Sequence, residues 1–259
     1  MNLRNRVPSL ARLMGRCVNF SVRRSLAEWR RPWDQEGRAG PPDDVAGDGR
    51  DVVLFGDTFN RYFERENLEA AERVLEACGY RLHRVKPLDG RRPLCCGRTY
   101  LTAGLVHEAR IEARRTVSAL APFVERGARV VGLEPSCIPT FRDEFGARFA
   151  KQEVDAVAGS SFLLEEMLAA DSAAGTTRLP LADQKGRIAH LHGHCHQKAF
   201  AATGAVEAVL KVVPGLRVET METSCCGMAG AFGYKASAAS STSCVIGRPV
   251  TSASLANRS

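Results

Sequence analysis

Residues 51–60 read DVVLFGDTFN. The apolar run Val52–Phe55, closed by Gly56, is too short for a helix and carries no polar face, which predicts a buried strand over Asp51–Gly56. Helix-spaced apolar residues follow over Leu68–Cys78 and stop at Gly79, a natural C-cap. Tyr80–Val85 reads as a second strand running into a loop at Pro93–Gly97. A helix over Leu105–Phe123 leads to a third strand, Arg129–Leu133, then to Glu134–Cys137, and a further helix is expected over Ser161–Ala170. Strand–helix alternation of this kind predicts a parallel α/β architecture with right-handed crossovers.

The second half repeats the first in shortened form. Arg187–Leu191 is a predicted strand entering Gly193-His194-Cys195-His196, Thr203–Val213 a helix, and Leu216–Met221 a strand before a second Cys-Cys-Gly loop at Ser224–Gly227. The expected fold is therefore α/β: two pseudo-repeated, Rossmann-like parallel-sheet halves, the second truncated, preceded by an amphipathic N-terminal helix. That helix is expected over residues 1–31, where Leu10, Leu13, Met14, Cys17, Val18, Leu26 and Trp29 recur near helical spacing with arginines opposite. The corresponding divisions are a basic docking segment (1–36), a Gly/Pro/Asp linker (37–50), a first repeat (51–180), an incomplete second repeat (181–234) and a tail (235–259). In the tail, 14 of 25 residues are Ser, Ala or Thr, a composition typical of flexible segments.

Composition narrows the function classes. With 259 residues, 44% of them hydrophobic, the chain can build a core and is not a disordered polymer. It has no apolar run near the ~18 residues of a membrane span and no secretory h-region, because Arg4, Arg6, Arg12 and Arg16 interrupt the start. A cytoplasmic protein, or one resting on the inner face of a membrane, is expected. The net charge of +7 lies entirely in residues 1–33, which hold eight Arg against Glu28; the remainder balances 28 bases with 28 acids. The globular part thus has no basic footprint for nucleic acid.

Nine cysteines are distributed unevenly, with two directly adjacent pairs, Cys95-Cys96 and Cys225-Cys226. Neighbouring cysteines close a disulfide only in a strained ring, whereas chelation of a soft metal or an iron–sulfur cluster uses the adjacency with less strain. Cys95 and Cys96 follow a strand, at the edge where parallel sheets gather ligands; Cys137 ends the third strand and faces the same crevice. Gly97 and Gly227 let the backbone approach a bound group closely. The second set is Cys195, Cys225 and Cys226, with His194 and His196 as further candidate ligands. A zinc site wants four donors in a closed tetrahedron, and a cubane cluster commonly wants four cysteines. Each half offers three thiolates, so a histidine, a shared cysteine or a partner must complete either kind of site. A thiol-redox pair at 95–96 or 225–226 is the third alternative. Cys17, Cys78 and Cys244 read as peripheral thiols, and His83, His107 and His192 as structural or surface groups. Nucleophile-elbow, P-loop, C-x-x-C and G-x-G-x-x-G patterns are absent, so the chain shows no flavin or dinucleotide site of its own.

LCCGR (94–98) with EPSC (134–137), and GHCHQKA (193–199) with CCGMAGAFGY (225–234), resemble the cysteine-rich CCG-domain iron–sulfur proteins, the group that includes the heterodisulfide reductases. With GDTFN (56–60) included, residues 50–234 look most like the C-terminal part of FAD-linked D-2-hydroxy-acid dehydrogenases with fused iron–sulfur domains. The resemblance implies a 4Fe–4S type cluster on Cys95, Cys96, Cys137, Cys195, Cys225 and Cys226. It also implies a flavin-containing dehydrogenase domain or subunit and a ferredoxin-like iron–sulfur domain as partners, with a quinone or membrane-side acceptor. On this basis the chain is an electron-transfer module for D-lactate, glycolate or D-2-hydroxyglutarate oxidation, not catalytically complete alone; Arg98 would offset cluster charge. Two departures stand out. Asp57-Thr58 occupies the place where many relatives open the first repeat with a cysteine, and the segment that closes the second repeat in relatives has no counterpart beyond Cys244.

Overall fold

The computed structural model describes residues 2–33, 48–90, 92–145, 151–177, 179–221, 228, 230 and 232–237, with backbone only for 151–153. Contacts divide the chain into two units, residues 1–29 with 222–259 and residues 30–221.

In the first unit, α1 (Asn2–Arg6) is followed by α2 (Pro8–Val18), with Pro8 in the first turn of α2, where a missing N–H costs nothing. Asn19 takes a left-handed conformation (φ 57°) and stops the helix. The single helix expected over residues 1–31 is corrected accordingly: regular structure ends at Val18, and residues 24–29 run without helical geometry. The reason is tertiary. Asn5 exchanges two hydrogen bonds with the backbone of Leu26 (2.7 and 3.0 Å), and Asn2 does the same with Trp29 (2.7 and 2.8 Å). Buried Arg4 donates to the carbonyls of Ser21 and Arg24. These side chains supply partners that a continued helix would have provided internally. Phe20 forms an antiparallel bridge with Lys235.

The second unit carries β1 (Asp51–Phe55), α3 (Thr58–Tyr62), α4 (Arg65–Ala77), β2 (Arg81–His83), α5 (Arg98–Thr102), α6 (Val106–Glu125), β3 (Arg129–Gly132), α7 (Lys151–Gly159), β4 (Ser161–Leu163) and α8 (Leu164–Ala173). The four strands form one parallel sheet in the order β2-β1-β3-β4. A second parallel pair joins β5 (Ile188–Leu191) to β6 (Arg217–Thr220), with α9 (Cys195–Ala199) and α10 (Thr203–Val212) between them. The expected mixed α/β class with parallel strands is thus observed.

All five β1 residues are buried, and their alternation explains the layering. Val53 and Phe55 pack into one apolar cluster with Ala113, Val117 and Leu120 of α6, whereas Val52 and Leu54 join Leu68 and Leu75 of α4 in the other. Helices therefore cover both faces, the arrangement that makes a parallel strand uniformly apolar. At the opposite edge from the loops discussed below, buried Asp51 accepts from Arg81 (2.9 and 3.0 Å) and pairs with His83 Nε2 (2.8 Å), so His83 is structural.

The helix expected over Ser161–Ala170 is also corrected. Ser161–Leu163 pairs with Val130–Gly132 as β4, and the helix begins only at Leu164. Glu166 accepts the Leu163 N–H at 2.9 Å and fixes that boundary.

Gly132 ends β3 beside the fully buried Ile138. A Cβ built there would lie 2.6 Å from Ile138 Cδ1 and 2.7 Å from its Cγ1. We expect Gly132→Ala to lower unfolding stability by about 1–3 kcal/mol through overpacking, and adding Ile138→Val to restore part of it. A thermal-melt double-mutant cycle checks this; additive losses would show that the two residues do not share the space.

Candidate metal centre

Three neighbouring strand ends supply the groups of interest. β1 ends at Phe55, and Asp57 then caps α3, accepting from the backbone N–H groups of Phe59 (2.9 Å) and Asn60 (3.0 Å) and from Asn60 Nδ2 (2.7 Å). The connection after β2 brings Cys95, Cys96 and Gly97 to the start of α5. The connection after β3 brings Cys137, whose N–H donates to the Glu134 carbonyl (2.9 Å). Because ligands gather at the carboxyl ends of parallel strands, these segments face one crevice. Cys96 Sγ and Cys137 Sγ lie 3.1 Å apart across 41 positions of sequence. Both are buried free thiols, at 4% and 5% exposure, while Cys95 is half-buried and also free.

Local packing fixes the loops that carry them. Gly97 has φ +76°, and a Cβ there would meet the Ala109 carbonyl oxygen of α6 at 3.0 Å, so only glycine lets this turn sit on the helix. Thr116 of α6 donates to the Cys95 carbonyl (2.8 Å), and the Gly97 N–H approaches Cys95 Sγ at 3.4 Å. In the other loop Ser136 N donates to Glu134 Oε1 (3.0 Å), and Thr140 Oγ1 donates to the Ser136 carbonyl (2.7 Å). A cavity of about 70 Å³ is lined by Asp57, Thr58, Phe59, Cys95, Cys96, Arg98, Thr99, Ser136 and Cys137.

The electrostatics of this cavity favour protonated thiols when nothing is bound. Donation to Cys137 and burial push the Cys96 thiol well up, and hydrogen bonding with Cys96 together with burial does the same for Cys95. For Cys137 the hydrogen bond received from Cys96 acts downward, but burial and the nearby Asp57 and Glu134 carboxylates carry it above the ordinary value. A soft cation removes such protons by direct coordination. Burial raises Asp57, partly opposed by its bonds from Asn60. Positive charge is also placed here. Arg61, 3% exposed, donates to the Gly56 carbonyl at 2.8 Å and its Nε has no hydrogen-bond partner. Arg98, in the cavity wall, pairs with Glu144 and lies 3.0 Å from His196 Nε2.

The structure thus brings Cys95, Cys96 and Cys137 together. His194 caps α9, its Nδ1 accepting the His196 N–H at 3.2 Å, and Cys195 is the first residue of that helix. Burial lowers the pKa of His194. His196 reaches the first set through Arg98, and its Nδ1 has no hydrogen-bond partner. Cys225, Cys226 and Gly227, the rest of the second set, lie outside the described residues, as does Cys244. Among the described residues, no three His, Cys, Asp or Glu side chains are gathered closely enough to hold a single metal ion as they stand. Cys17 is exposed, and Cys78, which closes α4, is buried. Asp57 as part of the cavity wall, Arg61 beside it, and the Arg98–His196 contact were not found from sequence. The Asp-x-x-Asn cap at 57–60 signals a helix start but not a cavity wall, and no sequence signal exists for the other two. Among the described residues, no helix is long and apolar enough to cross a membrane.

No protein-family model matches the chain, and no solved structure matches it significantly. The chain is 23% identical over 188 residues to a D-2-hydroxyglutarate dehydrogenase of Escherichia coli, an alignment covering 72% of this chain and 17% of that protein. It is 28% identical over 197 residues to the D-2-hydroxyglutarate dehydrogenase of Pseudomonas putida, with the same coverage of 72% and 17%. To one subunit of the anaerobic glycerol-3-phosphate dehydrogenase of Escherichia coli it is 27% identical over 142 residues, 54% of this chain and 35% of that subunit. The chain therefore spans a small part of each D-2-hydroxyglutarate dehydrogenase and about a third of the glycerol-3-phosphate dehydrogenase subunit, and it is similar to those parts.

Proposed function

We propose that this chain is an iron–sulfur electron-transfer module of a flavin-dependent dehydrogenase acting on a D-2-hydroxy acid. The observation that carries this reading is the meeting of Cys96 and Cys137, at 3.1 Å, in a cavity also lined by Cys95. Similarity to D-2-hydroxyglutarate dehydrogenases and to a glycerol-3-phosphate dehydrogenase subunit supports an oxidoreductase setting. The donor chemistry fits the group: closely spaced thiols, backbone N–H groups near sulfur, and cationic side chains beside a water-poor pocket are what an anionic cluster requires.

In this reading Cys95, Cys96 and Cys137 hold a 4Fe–4S type cluster, and Cys195, Cys225 and Cys226 belong to a second set. A bound cluster supplies reversible one-electron transfer. The chain's own residues do the rest. To hold such a group, Cys96 and Cys137 would part from their mutual contact and give up their thiol protons to solvent. Leu94, Ile138 and Phe141, all buried, keep water from the sulfur side. Arg61 and Arg98 offset negative charge, and the Gly97 N–H donates toward Cys95 Sγ. Substrate oxidation belongs to a flavin-bearing partner domain or subunit, with a ferredoxin-like domain and a quinone or similar acceptor beyond. β5–α9–α10–β6 we read as a shortened second copy of the first half.

Anaerobic incubation with ferrous iron and sulfide should give a brown protein with about four iron per filled cluster, broad visible absorption and bleaching by dithionite. One equivalent of zinc with no retained iron would overturn the reading in favour of a zinc-stabilised docking domain. Cys137→Ser, nearly isosteric, should cost one cluster's worth of iron, about four, with an unchanged circular dichroism spectrum; unaltered iron content in that variant would remove the first set from the account.

A further inference from the structure

We propose that Cys96 and Cys137 form a reversible disulfide in the metal-free chain, and that this bond decides when the first set can be loaded. The bond stands on geometry alone; its effect on loading rests on the reading of Cys95, Cys96 and Cys137 as cluster ligands. Both thiols are free, and they are already in contact, Cys96 donating to Cys137 Sγ at 3.1 Å. A disulfide needs about 2.05 Å, so its closure asks for a movement of about 1 Å. Cys95 and Cys96 are neighbours in sequence and could close only a strained ring. Cys96 and Cys137 come from different loops, 41 positions apart, and form no such ring. Those loops are anchored, by Thr116 on the Cys95 carbonyl (2.8 Å) and by the Cys137 N–H on the Glu134 carbonyl (2.9 Å). Holding two reacting groups in contact replaces a bimolecular encounter with a unimolecular step.

Small oxidants have a way in. Both sulfurs line the cavity of about 70 Å³, several times the room that one water needs, beside the hydroxyls of Thr58, Thr99 and Ser136. Hydrogen peroxide fits there. One sulfur gives up its proton and attacks a peroxide oxygen; the O–O bond breaks, water leaves and a sulfenic acid forms. The other sulfur attacks that sulfenic sulfur, the S–O bond breaks and a second water leaves. The peroxide accepts two electrons, and both thiol protons end in water. A dithiol reductant reverses the state by exchange, returning two electrons and two protons. While the disulfide stands, neither sulfur is a thiolate that a soft metal can bind. Both are also spared oxidation past the sulfenic stage.

The test uses the full chain in a Cys225→Ser/Cys226→Ser background, metal-free and reduced, then treated with equimolar hydrogen peroxide. Trypsin cuts after Arg91, Arg98, Arg129 and Arg142, leaving Cys95 and Cys96 in peptide 92–98 and Cys137 in peptide 130–142. Mass spectrometry without reductant should show these peptides joined, lighter by two hydrogens than their sum, and parted again by dithiothreitol. The link should survive Cys95→Ser and vanish in Cys96→Ser. Unjoined peptides in the background protein, or a link that persists in Cys96→Ser, would overturn the assignment of the pair. Both forms are then offered iron and sulfide anaerobically, with the link measured again at the end, because sulfide itself can open disulfides. The reduced protein should load at once, and the oxidised protein only as its link is opened. Iron uptake by the oxidised protein with the link still in place overturns the gate and leaves the cluster reading intact. Failure of the reduced protein to take up iron overturns the cluster reading and the gate with it. The peptide result still decides the disulfide in that case, since no metal enters that measurement.

Discussion

The parallel pairing of β1 with β3, buried on both faces, is the constraint on which the rest of the second unit depends. Its register sets Phe55 against Gly132, so the two strands finish level and their following loops open onto the same crevice. Val53 and Phe55 on one face, and Val52 and Leu54 on the other, are clamped by α6 and α4. A slip of one residue would exchange those faces, and it would also move the loop carrying Cys137 relative to the end of β1. The meeting of sulfur atoms distant in sequence is thus a consequence of strand register and needs no local motif. Ile138 locks the arrangement from the loop side by occupying the space that Gly132 leaves empty.

The crevice is chemically tense in the form described. Thiols that hydrogen-bond to one another and are shielded from water resist ionisation, yet a buried carboxylate and a buried guanidinium stand beside them. Groups of this kind are costly to bury without a counterpart. A soft metal centre would draw the protons off sulfur, and the thiolates left behind would give Arg61, whose Nε has no hydrogen-bond partner, something to balance. Arg98 also ties the wall of this cavity to His196 at the head of α9. That contact links the start of α5, just after the first Cys-Cys-Gly loop, to the Gly-His-Cys-His segment, and it makes Arg98 more than a surface charge.

Much of the architecture was legible because hydrophobic periodicity encodes it locally. The β1, α4, α6, β3, α10 and β6 segments lie within a residue or three of where spacing and cap residues place them. Failures occurred where tertiary partners outweighed local pattern. Leu26 and Trp29 continue the helical spacing of the N-terminal segment, but side chains of Asn2 and Asn5 claim their backbone groups. Ser161–Leu163 opens an apolar stretch that suits helix or strand equally, and pairing with β3 decided for strand. Convergence of Cys95, Cys96 and Cys137 followed from their positions after predicted strands. Asp57 looked only like a substitution for cysteine, since nothing local to Asp-Thr-Phe-Asn reveals that β1 lies between the two cysteine-bearing strands.

The most direct test is crystallographic. Diffraction from crystals of the anaerobically loaded chain, measured on both sides of the iron absorption edge, should place iron between Cys96 and Cys137, with their sulfur atoms parted from the present 3.1 Å contact. Anomalous signal at the zinc edge alone, or an iron-free cavity with the two thiols still touching or joined as a disulfide, would contradict the account.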